Sequence, residues 1–333
     1  TKSRFFICGA FLGILTLTKA IFFQISLAFI GLIATYALLL FLRRKKSVFL
    51  PHTSAMLLGF VACVMPWMIV NKLQLGTTNI AMRGGGVLYA RAIKENMSNS
   101  EIPGAIYFWG PSFYQHLANL IGIGAKPADF QAGGRYQRIN RDVDSNFSQA
   151  DFKAVDLGRP DLAVSYLRKV AATDVKYRKE AIQKNIKNPE QYAETKLTSE
   201  AKNIIIKNPW RHLQMTPLFI WRGIWALPNE GVRIGKTNGI YVILKDLLTI
   251  ISYLSMFSIF FLALYRKNIK WLSITVLPVC MLLTYGFLTH NLPRYSAPCI
   301  PLMFISLAIV IDKTSFYLSR KHGVVPFASR KPR

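Results

Sequence analysis

Hydrophobic and polar positions along this chain fall into long blocks rather than the short alternations of a water-soluble domain. Apolar runs occupy 5–18, 20–42, 48–70, 240–264, 271–289 and 297–311. A helix needs about 20 residues to cross roughly 30 Å of hydrocarbon, so six membrane segments are predicted, the first and last being short. The stretch 5–42 is interrupted only by Lys19 and reads as two helices turning there; the alternative is one long kinked helix. Between the third and fourth runs lies a long polar region. Its 161–186 segment has helical periodicity, and Pro189 opens a second helix through 206. The 209–227 segment mixes Trp210, Arg211, Trp221, Arg222 and Trp225 with Leu, Phe and Ile. It is too short and too charged to span, and it suits a helix lying in the headgroup layer. Gly84-Gly85-Gly86 reads as a local turn.

The predicted fold class is therefore an all-α integral membrane protein. A bundle of about six transmembrane helices carries a mostly helical extramembrane domain between the third and fourth. The divisions are 1–71 (three helices), 72–239 (external, with the amphipathic segment near 209–227), 240–312 (three helices) and a basic tail, 313–333.

Charge sharpens this picture. The 333 residues hold 42 Lys and Arg against 16 Asp and Glu, a net charge of +26, yet 52% are apolar and only 17% charged. That balance belongs to a membrane protein, and no nucleic-acid partner is inferred from the basicity. Residues 72–236 carry 24 basic and 14 acidic residues; the rest carries 18 basic residues and only Asp246 and Asp312. Arg43-Arg44-Lys45-Lys46, the 266–270 link and the C-terminal tail are basic, which the positive-inside rule places in the cytoplasm. Alternating crossings then put Lys19, the long central region and the 290–296 loop on the opposite face, periplasmic in a bacterial inner membrane. Membrane lipids are the expected surroundings.

Isolated cations beside membrane helices on one face point to an anionic headgroup. Lys19 lies at a turn and Arg294 in a short loop with His290 and Tyr295. Arg can grip a phosphate with two N–H groups and Lys can act as a point charge. Ordinary snorkelling is the alternative for each. Asp246, next to Lys245, reads as a locally paired carboxylate, and Glu230 as solvated in a turn. His52, His116, His212 and His322 show no triad spacing. Cys8, Cys63, Cys280 and Cys299 lie in or beside apolar runs and read as small buried hydrophobes. No cluster with metal-ligand spacing is found, so no metal site is assigned.

Four strings carry a family resemblance: GILTLTKA at 13–20, MPWMIVNKLQLGTTNIAMRGGGVLYAR at 65–91, IIIKNPWRHLQMTPLFIWRG at 204–223 and HNLPRYSAPCIP at 290–301. In order and position they resemble the C-type superfamily of polytopic, polyprenyl-phosphate-sugar-dependent glycosyltransferases, relatives of the protein mannosyltransferases and the aminoarabinose transferase. The resemblance implies transfer of a sugar from a lipid-linked donor to a hydroxyl of a glycan, lipid or protein acceptor at the external face. It implies lipid-phosphate contacts from Lys19, Arg294, Tyr295 and His290, and a substrate cavity near Asn71, Arg83 and Tyr89. Val70 stands where the family often has Arg, so that contribution is lost. The family's catalytic carboxylate lies in a first external loop near the N-terminus, so the base is expected upstream of Thr1, and this stretch alone is expected to be inactive. The cofactor is left open, a divalent metal being allowed by the family but unsupported here. A transporter or flippase of lipid-linked sugars, and a non-catalytic membrane assembly partner, are the rival readings.

Overall fold

A computed structural model describes residues 1–42, 49–80, 84–139, 149–225, 239–292, 295 and 297–321 of the chain. Among them thirteen α-helices follow one another with no strand: α1 (Lys2–Thr18), α2 (Ile21–Leu42), α3 (Phe49–Leu75), α4 (Gly84–Lys94), α5 (Ile102–Trp109), α6 (Ser112–Leu120), α7 (Gln149–Leu157), α8 (Tyr166–Gln183), α9 (Pro189–Lys207), α10 (Pro209–Ile224), α11 (Gly239–Tyr265), α12 (Ile269–Leu288) and α13 (Ile300–Lys321). Each of the six apolar runs is helical. Among the described residues four stretches are long and apolar enough to cross a membrane: Ile21–Leu39, Leu50–Leu75, Ile243–Tyr265 and Ile269–Leu288. At Lys19 the backbone turns extended (φ −153°, ψ 115°), which ends α1. The 5–42 stretch is thus two helices.

Packing divides the chain into two compact units, Thr1–Gly85 with Ala181–Thr195, and Gly86–Glu180 with Lys196–Arg333. In the first unit α1 lies against α3 with almost no side chain between them. A Cβ on Gly9 would come within 1.8 Å of the Met56 carbonyl oxygen, one on Gly13 within 2.6 Å of Cys63 Cβ, and one on Gly59 within 2.1 Å of the Phe6 carbonyl oxygen. Gly9 and Gly13 are one turn apart, so they form one flat strip. Hydrocarbon offers apolar helices no gain from leaving water, and close backbone approach over small residues supplies the dispersion contacts instead. Ile30, Met56, Phe60 and Val64 fill the remaining space, with Phe5, Leu12 and Phe23 against them.

In the second unit α11, α12 and α13 pack together, α10 lies on α12, and α6 lies on α11. Asn208 accepts the Arg211 N–H and Pro209 follows it, a standard start for α10. This helix buries His212, Met215, Leu218, Phe219, Arg222 and Gly223 while Trp210 and Leu213 stay exposed. Two expectations change. The Gly84-Gly85-Gly86 run opens α4 rather than making a free turn, with the Gly85 N–H donating to Glu194 Oε2 at 2.7 Å. The helix expected from 161 starts only at Tyr166, because Asp151 Oδ1 takes the N–H groups of Val164 (2.7 Å) and Ser165 (3.2 Å) and holds the preceding segment out of helical register. Of the four cysteines, all free thiols, Cys299 is buried and Cys8 is exposed on α1.

The glycine strip yields a test. Gly9→Val forces α1 and α3 apart and costs about 1–3 kcal/mol, as overpacking does. Gly31→Val, where a Cβ meets nothing within 4 Å, leaves stability nearly unchanged. Thermal unfolding of the two variants in detergent, read side by side, checks this.

Candidate functional site

The second unit is organised around a buried cation. Arg91 lies in the last turn of α4 and Glu95 four residues on, just past the end of the helix, and Arg91 is fully buried. Its Nη1 donates to Glu95 Oε1 at 2.8 Å, its Nη2 to the His212 carbonyl at 3.0 Å and to Thr216 Oγ1 at 3.2 Å, and its Nε to the Gly286 carbonyl at 3.3 Å. The guanidinium carbon lies 3.9 Å from the centre of the Phe219 ring. His212 Nδ1 donates to the same Glu95 oxygen at 2.5 Å, and the imidazole meets Phe287 edge-on. Burial pulls the Arg91 guanidinium down to about 10 while Glu95 opposes the shift, so it stays a cation at neutral pH. A charge taken out of water is tolerable only when it is paired and hydrogen-bonded, and here all three guanidinium nitrogens donate to acceptors, one of them a carboxylate.

Arg211 ties the chain beyond α4 to α10. It donates to the Glu95 carbonyl at 3.1 Å, to Asn99 Oδ1 at 3.2 Å and to the Met97 carbonyl. At the other end of α10, a Cβ on Gly223 would fall 2.0 Å from Asn291 Nδ2, and that amide donates to the Phe219 carbonyl at 3.0 Å. Asn291 itself takes a positive φ of 37°. Only glycine at 223 lets the loop after α12 close onto α10.

These contacts bring α4, α5, α8, α10 and the start of the 290–292 loop around a cavity of about 210 Å³. Its polar lining is Lys94, Arg222, His290 and Tyr166; Val87, Ala90, Met97, Ile139, Leu167 and Val170 make it otherwise apolar. Lys94 and Arg222 are buried, with exposures of 8% and 3%. They flank one indole: Arg222 Cζ is 4.6 Å and Lys94 Nζ 5.9 Å from the Trp109 ring centre. No carboxylate lines the cavity among the described residues. The cation pair beside one aromatic face makes the space suited to an anion carrying apolar bulk.

Of the residues singled out in the sequence, His290 lines this cavity and Tyr295 lies beside it, ring centres 6.2 Å apart, stacked on Tyr285. Tyr89 is buried one turn from the lining, where its hydroxyl meets Thr173 Oγ1 at 3.2 Å and burial pushes it up to about 12. Asn71 has a local task in the first unit, donating to the Asn79 carbonyl at 2.7 Å. Lys19 is half-buried at the end of α1, also in the first unit. Arg83, Arg294 and Glu230 lie outside the described residues. Asp246 is paired with Lys245 at 3.3 Å, as its position suggested, and also accepts from the Phe113 N–H at 3.4 Å. The sequence reading missed Lys94, Trp109 and the Arg91–Glu95–His212 cluster. Arg91, Lys94 and Glu95 are spaced three and four apart, a helical signal that was available; His212 is 117 residues from Glu95, and no local pattern links them.

No family model matches the chain, and neither a curated protein nor a solved structure matches it.

Removing Arg91 alone strands Glu95 in the interior. Arg91→Met is expected to lose about 3–5 kcal/mol, the usual result of breaking a buried ion pair on one side. Arg91→Met with Glu95→Gln, which removes both charges and leaves an amide for His212, loses less. Chemical denaturation of the purified variants distinguishes the two outcomes.

Proposed function

We propose that this chain is a multi-pass membrane glycosyltransferase that holds a polyprenyl-phosphate sugar at the external face and passes the sugar to an acceptor hydroxyl. The observation that carries the reading is the cavity in which Lys94, Arg222 and His290 meet around Trp109. Two buried cations suit a phosphate, the aromatic face and apolar walls suit a sugar ring or the first isoprene units, and Arg offers bidentate geometry. In such a transfer negative charge develops on the phosphate leaving group, and fixed cations in a dry pocket offset it without rearranging.

The arrangement of sequence motifs supports the same reading. Arg91 ends the second of the four strings that carry the resemblance, His212 to Gly223 belong to the third, and His290 and Asn291 open the fourth; side-chain contacts join all three. On this reading α1 and α13 complete six crossings with the four longer helices, the basic 43–46 and 266–270 links and the tail face the cytoplasm, and the central region is external. The family resemblance assigns further phosphate contacts to Arg294 and Tyr295, and one to Lys19.

Binding gives the most direct test, because it does not require turnover. Purified full-length protein in nanodiscs is expected to bind a fluorescent short-chain polyprenyl phosphate, with Lys94→Met, Arg222→Lys and Arg294→Ala each weakening it by about tenfold or more, the scale of one lost charge-assisted contact. Undiminished binding by both cavity variants, or no binding of any polyprenyl phosphate by folded wild-type protein, would overturn the reading. A panel of polyprenyl-phosphate sugars then identifies the donor.

A further inference from the structure

One surface helix in the second unit is built inside out. In α6 the side turned toward the protein carries Ala118 and Gln115, whose amide donates to the Tyr107 carbonyl at 3.0 Å and the Gly110 carbonyl at 3.4 Å. The outward side carries Leu117, Leu120 and Ile121, spaced three and four apart and all exposed, together with the exposed polar His116 and Asn119. Leu120 is 76% exposed and Ile123, just beyond the helix, 70%. A helix facing water shows the reverse order, with its apolar stripe toward the core.

The end of this helix is held firmly. Gly122 takes φ +78°, Ile123 and Gly124 N–H both donate to the Ala118 carbonyl at 2.9 Å, and a Cβ on Gly124 would strike Asn119 Oδ1 at 1.8 Å. Such a closed turn keeps Ile121 and Ile123 projecting beside Leu120. The start of the helix is fixed too: the Phe113 N–H donates to Asp246, in the outer turns of α11. Flanking Asp246, the outward residues of α11 are Ile243, Leu244, Leu247 and Leu248, also exposed, and they belong to one of the four stretches apolar enough to cross a membrane. Helix α6, with its exposed apolar residues, therefore packs against the helix that carries this apolar outer surface.

We propose that α6 and its closing turn, 112–124, form a wedge seated in the acyl-chain layer of the bilayer beside α11, with lipid hydrocarbon as the partner of Leu117, Leu120, Ile121 and Ile123. The Asp246 carboxylate positions the wedge by taking the Phe113 N–H. Tyr114, whose ring meets Trp221 at 5.9 Å, and Trp225, 5.0 Å from Trp221, put an aromatic cluster beside the wedge, where membrane proteins keep Tyr and Trp. The inference rests on α11 crossing a bilayer, which the experiment reads separately.

A genetically encoded environment-sensitive fluorophore is placed singly at Leu120, Ile123, Leu254 and Lys202 of the full-length protein. Each variant is reconstituted in phosphatidylethanolamine and phosphatidylglycerol vesicles with brominated acyl chains. Leu254 lies in the middle of α11 and Lys202 on the charged helix α9. The expected result is bromine quenching at Leu120 and Ile123 comparable with Leu254 and several-fold greater than at Lys202. Iodide quenching at Leu120 and Ile123 matching Lys202, with Leu254 still quenched by bromine, would overturn the wedge and leave the membrane reading standing. Loss of bromine quenching at Leu254 as well would overturn both.

Discussion

The second unit depends on where one guanidinium spends its hydrogen bonds. Arg91 is the only group in its cluster that can reach three helices at once, because a planar fork with five N–H donors can point in several fixed directions while a lysine ammonium cannot match that spread. It takes a carboxylate from the turn that ends its own helix, a carbonyl and a hydroxyl from α10 and a carbonyl from α12. The Gly286 carbonyl is open to it at a point where α12 also lets α10 come close, a Cβ there falling 2.5 Å from Ile220 Cγ1. Helix α10 is thus held against α4 and α12, and that placement carries Arg222 to within 4.6 Å of the Trp109 ring centre that Lys94 also approaches. A cation outside the cavity lining helps to set the position of the cations that line it.

Two packing patterns occur in one chain. In the first unit the helix contact is made by glycines against backbone, and large apolar side chains such as Phe11 and Leu32 face outward. In the polar region the order is the ordinary one, with Ala172, Ala181, Ala193 and Leu197 buried and lysines exposed along α8 and α9. A residue's fitness for its site can therefore not be judged by polarity alone: Leu and Ile outside are consistent with lipid around the four long helices, as charge outside is with water around α9.

What was legible in the sequence follows the same line. Length and apolarity located all six hydrophobic helices because nothing in their composition competes, and a single Lys19 sufficed to mark the break between α1 and α2. Pro189 and Asn208-Pro209 announced helix starts through backbone chemistry that needs no tertiary partner. The short helices α4, α5 and α6 gave no comparable signal, since three glycines open one and aromatic residues crowd the others. His290 was found from a loop motif, but its neighbours in the cavity come from α4, α5, α8 and α10, brought together by contacts over more than a hundred residues such as Arg91 to Gly286. Gly223 shows the limit most clearly: its lack of a Cβ matters only because Asn291, far along the chain, occupies that space.

Asp246 joins these strands of reasoning. A carboxylate inside an apolar helix is costly unless its lone pairs are filled, and here Lys245 supplies a cation and Phe113 a backbone N–H from the first turn of α6. That N–H is one of the donors a helix start leaves without an internal partner, so the two deficits cancel: the apolar helix α11 satisfies its charge and α6 its end. A single hydrogen bond between backbone and carboxylate thus fixes where α6 starts on α11, and the aromatic residues Tyr114 and Trp221 meet next to that start.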